Sequence, residues 1–341
     1  MKKKLIILLL LCILLVGCSK KEGKIVNILN WSSYIPDEVI SDFEDETGIK
    51  VNYGTYSSNE ELLAKISSAK KGTYDLIFPS DYMVELMKTR GIIDKLDKTR
   101  LKNIGNLSEN FLNLEYDKDN EYSLPFLAAS VLIVYNKDAI KENISSYNDL
   151  LNPKYKNDIV LIDDQRMMIG MALQAMNYDM NETDDFKLDE AEKWFKRLKK
   201  NIKAFDSDSP KTFMISKETN VGVMWNAEAA IALDNNPSME IVYPEEGFGI
   251  SIDNFVLPVG AKNLDGAYAF IDYILRPDVM KKIIESYPYK CVNKETNKLL
   301  DDTYLNNPAA NISDEVFLSG TFVKNLGKYI IKYDKLWAQI K

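Results

Sequence analysis

Apolar residues recur along this chain in two rhythms that take turns: short alternating or continuous runs, and longer stretches spaced three to four residues apart. Residues 24–31 (Lys-Ile-Val-Asn-Ile-Leu-Asn-Trp) read as a strand. Pro36 and Asp37 then open a helix that runs to Thr47 and stops at Gly48. Residues 49–56 predict a second strand, and Ser58 and Glu61 have capping-box spacing for a helix through Lys70. An apolar strand at 74–78 ends at Pro79-Ser80 and precedes a helix from Asp81 to Arg90, stopped by Gly91. This strand–helix repetition predicts a largely parallel sheet with helices on both faces. Ligands of such sheets settle beyond the carboxyl ends of the strands, which puts residues 30–34 and 79–82 at the binding rim.

Residues 122–136 are extended for longer than one ordinary strand, with small residues Ala128, Ala129 and Ser130 in the middle, as suits a crossing between domains. A second alternating unit follows: a strand at 158–163, a helix at 167–177, a charged helix at 184–200, a strand at 221–225, a helix through Ala232 and a strand at 239–243. Residues 249–258 are extended again and long enough to return to the first domain. A helix at 263–275 places Ala267, Phe270, Ile271 and Ile274 on one face, Pro277 begins another, and the tail 324–341 has Tyr329, Ile330, Tyr333, Leu336, Trp337 and Ile340 at helical spacing. The two crossings, near Ala128 and Ser251, predict two lobes of discontinuous chain: 24–129 with 253–297, and 130–252 with 298–341. A cleft on a two-stranded hinge closes with small dihedral changes.

The first residues obey neither rhythm. Lys2, Lys3 and Lys4 precede an unbroken apolar run at 5–16, too short to span a bilayer and suited to a signal peptide. Leu15-Val16-Gly17-Cys18 resembles a bacterial lipobox, which implies cleavage after residue 17, a diacylglycerol on the Cys18 sulfur, and 18–23 as a tether between membrane and fold. Of three cysteines, Cys12 is then removed and Cys18 lipidated, so Cys291 stands alone and the fold needs no disulfide. Net charge is −8, or about −11 without the three leader lysines. An acidic chain lacks the basic face that nucleic acid requires. The complete absence of histidine excludes Ser-His-Asp and Cys-His nucleophiles, His-containing zinc sites and the usual neutral-pH base.

The predicted rim gathers aromatic faces and carboxylates: Trp31, Ser32, Ser33, Tyr34, Ser80, Asp81, Tyr82, Asp163, Asp164, Trp225, Asn226, Glu228, Asp253 and Tyr289. Ammonium groups offer only donors, so carboxylates and hydroxyls suit the ends of a linear diamine or triamine. Rings flank its methylenes and attract its charged nitrogens. Of the paired aspartates, Asp163 is expected to cap the following helix and Asp164 to face the ligand. Glu228, near a helix start, also has a simpler role in answering the helix dipole.

Asn30-Trp31-Ser32-Ser33-Tyr34-Ile35-Pro36, Glu46-Thr47-Gly48-Ile49-Lys50-Val51, Tyr74-Asp75-Leu76-Ile77-Phe78-Pro79-Ser80 and Leu275-Arg276-Pro277-Asp278-Val279 together resemble the spermidine/putrescine-binding proteins of bacterial ABC transporters. The resemblance implies an α/β, type II periplasmic-binding-protein fold and delivery of a polyamine to a membrane permease by a monomeric, cofactor-free receptor. Carried over position by position, it implies a pocket of Trp31, Ser32, Tyr34, Ser80, Tyr82, Asp164, Trp225, Asp253 and Tyr289, with Glu228 where putrescine-type members carry an acid. Asp253 and Asp164 would pair with amines, and the rings would wall the methylene chain. The chain departs from the family pattern at Ser33 (commonly an acid), Met167 (commonly glutamate) and Ser251 (commonly aromatic). Putrescine and spermidine both stay open, as does another small organic cation. An exported glycosidase using two acids across the cleft is the reading from a different class. A surface lipoprotein that binds another protein is a third.

Overall fold

The computed structural model describes residues 25–207 and 209–341. The expected signal peptide, the Cys18 lipidation site and the tether lie outside the described residues. Twelve strands are present among those described: β1 (Ile25–Trp31), β2 (Lys50–Tyr56), β3 (Leu76–Ile77), β4 (Ile93–Asp94), β5 (Ser123–Asn136), β6 (Ile159–Leu161), β7 (Ile202–Phe205), β8 (Val221–Trp225), β9 (Met239–Val242), β10 (Gly249–Pro258), β11 (Lys290–Cys291) and β12 (Thr321–Phe322). The helices are α1 (Asp37–Thr47), α2 (Asn59–Ser68), α3 (Asp81–Thr89), α4 (Gln165–Gln174), α5 (Asp185–Leu198), α6 (Pro210–Ile215), α7 (Asn226–Asn235), α8 (Leu264–Ile274), α9 (Pro277–Ser286), α10 (Asp302–Leu305), α11 (Asp314–Leu318) and α12 (Ile330–Ile340).

The strand order β2-β1-β3-β10-β5-β8-β6-β7 explains the hinge. β1 is parallel to β2 and β3, and β6 is parallel to β7 and β8, so each end of the order is a parallel set. Between them β10 runs antiparallel to β3 and β5, and β5 runs antiparallel to β8 and β9. The sheet is therefore mixed rather than largely parallel. β5 changes partners in mid-course: Ser123 to Ser130 pair with β10, while Val131 to Asn136 pair with β8 and β9. Two α/β lobes thus share two long strands, and all fourteen residues of β5 are buried. The register of β10 against β5 slips between Asp253 and Asn254, where Phe126 is an extra residue on β5, a bulge of the kind that re-aims side chains.

The core follows from alternation. In β1, Val26 and Ile28 pack into the main core, and Leu29 packs on the opposite sheet face with Tyr56, Leu62, Ile77, Met83 and Val256. Gly48 stops α1 in the left-handed conformation, at φ 68°. The capping box of α2 is half made: Ser58 Oγ accepts from Glu61 N–H at 3.1 Å, but Glu61 accepts from Ser57 N–H instead of returning the bond to Ser58. The tail is α-helical only from Ile330, after a 3-10 turn at Gly327–Tyr329. Tyr333, Leu336 and Ile340 dock while Tyr329 stays exposed.

Candidate functional site

The carboxyl ends of β1 and β3, the amino ends of α2, α4 and α7, and the crossing strand β10 converge on a cavity of about 710 Å³. Its lining includes every expected pocket residue: Trp31, Ser32, Tyr34, Ser80, Tyr82, Asp164, Trp225, Glu228, Asp253 and Tyr289. They come from both sides of the hinge.

Asp253 lies at the centre of the polar geometry. Asp253 faces Ser80 in an isolated antiparallel bridge, next to the point where Phe126 bulges from β5. Ser80 Oγ donates to Asp253 Oδ1 and the Tyr34 hydroxyl donates to Oδ2, both at 2.7 Å. Only 4% of Asp253 is exposed. Burial pushes its carboxyl up to about 6, against the opposing pull of the Ser80 and Tyr34 hydrogen bonds. Two neutral hydroxyls and no cation among the described residues hold it, a setting that favours a cation brought from outside.

The rings form a wall around that carboxylate. Tyr34 and Tyr289 lie 4.9 Å apart between centroids, Trp31 and Tyr56 4.7 Å, and the Trp31 indole N–H donates to the Phe78 carbonyl at 3.0 Å. Tyr289, which the sequence places on an unassigned loop, is buried against Tyr34. Tyr82 donates its hydroxyl to Glu60 Oε1 at 3.2 Å.

The capping role expected of Asp163 falls to Asp164, and both aspartates line the cavity. Asp164 is the N-cap of α4, its Oδ1 accepting from Met167 N–H at 2.9 Å. Asp163 is exposed and forms an ion pair with Lys341. The reason is geometric: an N-cap side chain reaches the third residue beyond it, and Asp164 to Met167 is that spacing. Capping does not take Asp164 away from the cavity, which it also lines, and burial raises its carboxyl to about 6. Glu228 is engaged as well, with Lys211 Nζ at 2.8 Å from each of its oxygens. Burial raises the Glu228 carboxyl while Lys211 opposes the rise.

Several lining residues escaped the sequence reading. Glu60 stands in the first turn of α2, just past β2, and the same rim rule that selected Tyr82 would have found it. Arg166 is 4% exposed and sits with its guanidinium 5.7 Å from the Tyr82 ring and 5.0 Å from the Tyr333 ring. It donates to the Lys324 carbonyl and to Asn181 Oδ1. Val323 and Trp337 arrive from the C-terminal segment; the helical spacing of the tail includes Trp337 but does not place it at the cavity. The three departures find other uses. Ser33 lies in a left-handed turn at φ 56°. Ser251 donates to buried Asp81 at 2.9 Å. Met167 packs on Gly249, where a Cβ would come within 2.5 Å of its sulfur. Among the described residues no cluster of metal-ligating side chains occurs, and no helix is long and apolar enough to cross a membrane.

Comparison with known proteins agrees with this geometry. Residues 38–311 match the model of the family described as bacterial extracellular solute-binding protein. The chain is 37% identical over 313 residues to the spermidine/putrescine-binding periplasmic protein of Salmonella typhimurium, covering 92% of this chain and 90% of the relative. A structure from Listeria monocytogenes ascribed to a spermidine/putrescine ABC transporter superposes with a TM-score of 0.89 at 33% identity, covering 93% of this chain and 98% of that one. The TpPotD lipoprotein of Treponema pallidum superposes with a TM-score of 0.85 at 25% identity, covering 93% and 99%.

Proposed function

Since the chain belongs to the bacterial extracellular solute-binding protein family, we propose that its inter-lobe cleft binds a linear polyamine, putrescine or spermidine, and delivers it to the permease of an ABC transporter. The observation that carries this reading is Asp253. It is a buried carboxylate held by two hydroxyls, walled by Tyr34, Trp31 and Tyr289, and lacking an ion-pair partner among the described residues. An alkylammonium end supplies the missing charge, and the flat rings suit the methylenes that follow it. Asp164 and Glu60, the latter bonded to Tyr82, line the same cavity and supply a second negative pole. The relatives named for spermidine and putrescine support the same substrate class.

The lobes we infer are 24–129 with 253–297 and 130–252 with 298–341, hinged where β5 changes partners and where β10 crosses beside it. The receptor acts as a monomer and is held outside the cytoplasm by the lipid on Cys18, as the lipobox resemblance and the similarity to a spirochaete lipoprotein suggest. We propose no catalytic role. A glycosidase divides its work between an acid held protonated and one held ionised. Asp164 and Asp253 instead rise together to about 6, each chiefly through burial.

Thermal unfolding with a panel of solutes tests the reading. Putrescine or spermidine at micromolar concentration should raise the midpoint, and the rise should grow with the logarithm of concentration above Kd. Neutral sugars and zwitterionic amino acids should leave it unchanged. A protein indifferent to every diamine and triamine does not have this function.

A further inference from the structure

Glu228 lines the cavity, but Lys211 already holds it. Lys211 Nζ donates to Oε1 and Oε2 at 2.8 Å each, with the two side chains 22% and 13% exposed. Lys211 stands on α6 and Glu228 in the first turn of α7, and Lys211 does not itself line the cavity. Glu228, Asp253 and Tyr289 line the same cavity, and the charges of both carboxylates act on the Tyr289 hydroxyl. A lysine side chain is an ammonium on a flexible four-carbon stem, the same chemical unit as one end of an aliphatic polyamine.

Resting on the polyamine reading above, we propose that Lys211 is a specificity-determining residue. It is a tethered ammonium that occupies Glu228 and withholds a third counter-charge from the ligand. Asp253 remains at one pole and Asp164 with Glu60 at the other, and two poles serve a diamine. A third ammonium on the Glu228 side of the cleft must displace Lys211 from a two-point, largely desolvated pair, or go without the Glu228 charge. Either course penalises the triamine and leaves the diamine untouched. Arg166, fixed in the wall near Asp164 and Tyr82, adds a second resident cation that opposes extra positive charge.

Calorimetric titration with putrescine and with spermidine at pH 7.5 tests this on the wild type, Lys211→Gln and the double variant Lys211→Gln/Glu228→Gln. Lys211→Met, which keeps the packing of the stem, serves as the second charge-free variant. The wild type should prefer putrescine. Removing the Lys211 charge should shift the putrescine-to-spermidine affinity ratio toward spermidine by roughly tenfold or more, the value of one hydrogen-bonded charge. The double variant should return the ratio to within about threefold of wild type, since the freed carboxylate is then gone. A loss of packing alone would move both affinities together and leave the ratio fixed. A wild-type preference for spermidine, an unchanged ratio in both charge-free variants, or a shift that survives in the double variant each overturns the proposal while leaving polyamine binding intact. Wild-type protein that binds neither amine overturns the polyamine reading itself.

Discussion

Asp81 and Asp253 exchange serine hydroxyls across the crossing strand. Ser80, the neighbour of Asp81, donates to Asp253 at 2.7 Å, and Ser251, two residues before Asp253, donates to Asp81 at 2.9 Å. Both carboxyls are buried, and each raises the free energy of the empty protein when ionised. Burial lifts Asp81 to about 7, the field of Asp253 adding to the rise, and lifts Asp253 to about 6. A carboxyl raised in this way contributes stability below its unfolded value near 3.8 and loses it as pH climbs through the folded value. For Asp253 the loss is on the order of 2–3 kcal/mol once pH exceeds about 7. Asp253→Asn should therefore raise the ligand-free melting midpoint at pH 7.5, give only about a third of that gain at pH 4.5 and none below about pH 3, while abolishing stabilisation by polyamine. Melting curves of both proteins across that range check it; a variant less stable than wild type at every pH contradicts the account.

The same two poles set how binding responds to pH. Asp253 and Asp164 both titrate near 6 in the empty cleft. A bound ammonium favours their ionised forms and lowers both values, while the amines stay protonated throughout, their own pKa lying near that of lysine. Affinity should accordingly be flat above about pH 7 and fall through pH 6 by up to roughly tenfold per pH unit for each group. Near pH 6 binding should release protons. Calorimetry in two buffers of different ionisation enthalpy measures the release directly, and proton uptake at pH 6 would refute the assignment of these poles.

Asp164 combines two tasks that substitution can separate. As N-cap of α4 it accepts from Met167 N–H, and as a cavity carboxylate it offers charge. Asparagine keeps the capping oxygen and loses the charge, whereas alanine loses both at a cost of about 1 kcal/mol in stability. Asp164→Asn and Asp164→Ala should weaken polyamine binding alike, roughly tenfold or more, and the alanine variant should melt earlier than the asparagine variant. Wild-type affinity in Asp164→Asn would reduce this residue to a cap.

How far the molecule can be read from its sequence depends on the range of each interaction. β10 was legible to the residue and β1 to within one, because extended apolar runs carry their own register; β5, too, was extended as expected. Trp31, Ser32, Tyr34, Ser80 and Tyr82 were legible as cavity-lining residues because the chain carries them in compact motifs next to strand ends. β7 and α6 were not foreseen: residues 202–215 mix apolar and polar positions without a clear period, and their order comes from pairing with β6 and packing on α7. The cap was assigned to Asp163 instead of Asp164 because either aspartate can begin a helix. The pairing of Lys211 with Glu228 joins residues seventeen apart on different helices, where no spacing rule reaches.

Cys18 is the remaining testable expectation, and it concerns location. A diacylglycerol thioether supplies two acyl chains, and burial at about 0.8 kcal/mol per methylene makes two chains a stable anchor where one is marginal. The wild-type protein should therefore stay with membranes through a high-salt wash, leave them in detergent, and incorporate labelled fatty acid. Cys18→Ser removes the sulfur that carries the lipid. That variant should incorporate no label and resist cleavage before residue 18, so that its apparent mass exceeds that of the mature wild type. Because 25–341 contain the whole cleft, a purified Cys18→Ser protein freed of its leader should bind polyamine as the wild type does. Fatty-acid labelling of Cys18→Ser equal to that of the wild type would place the anchor elsewhere.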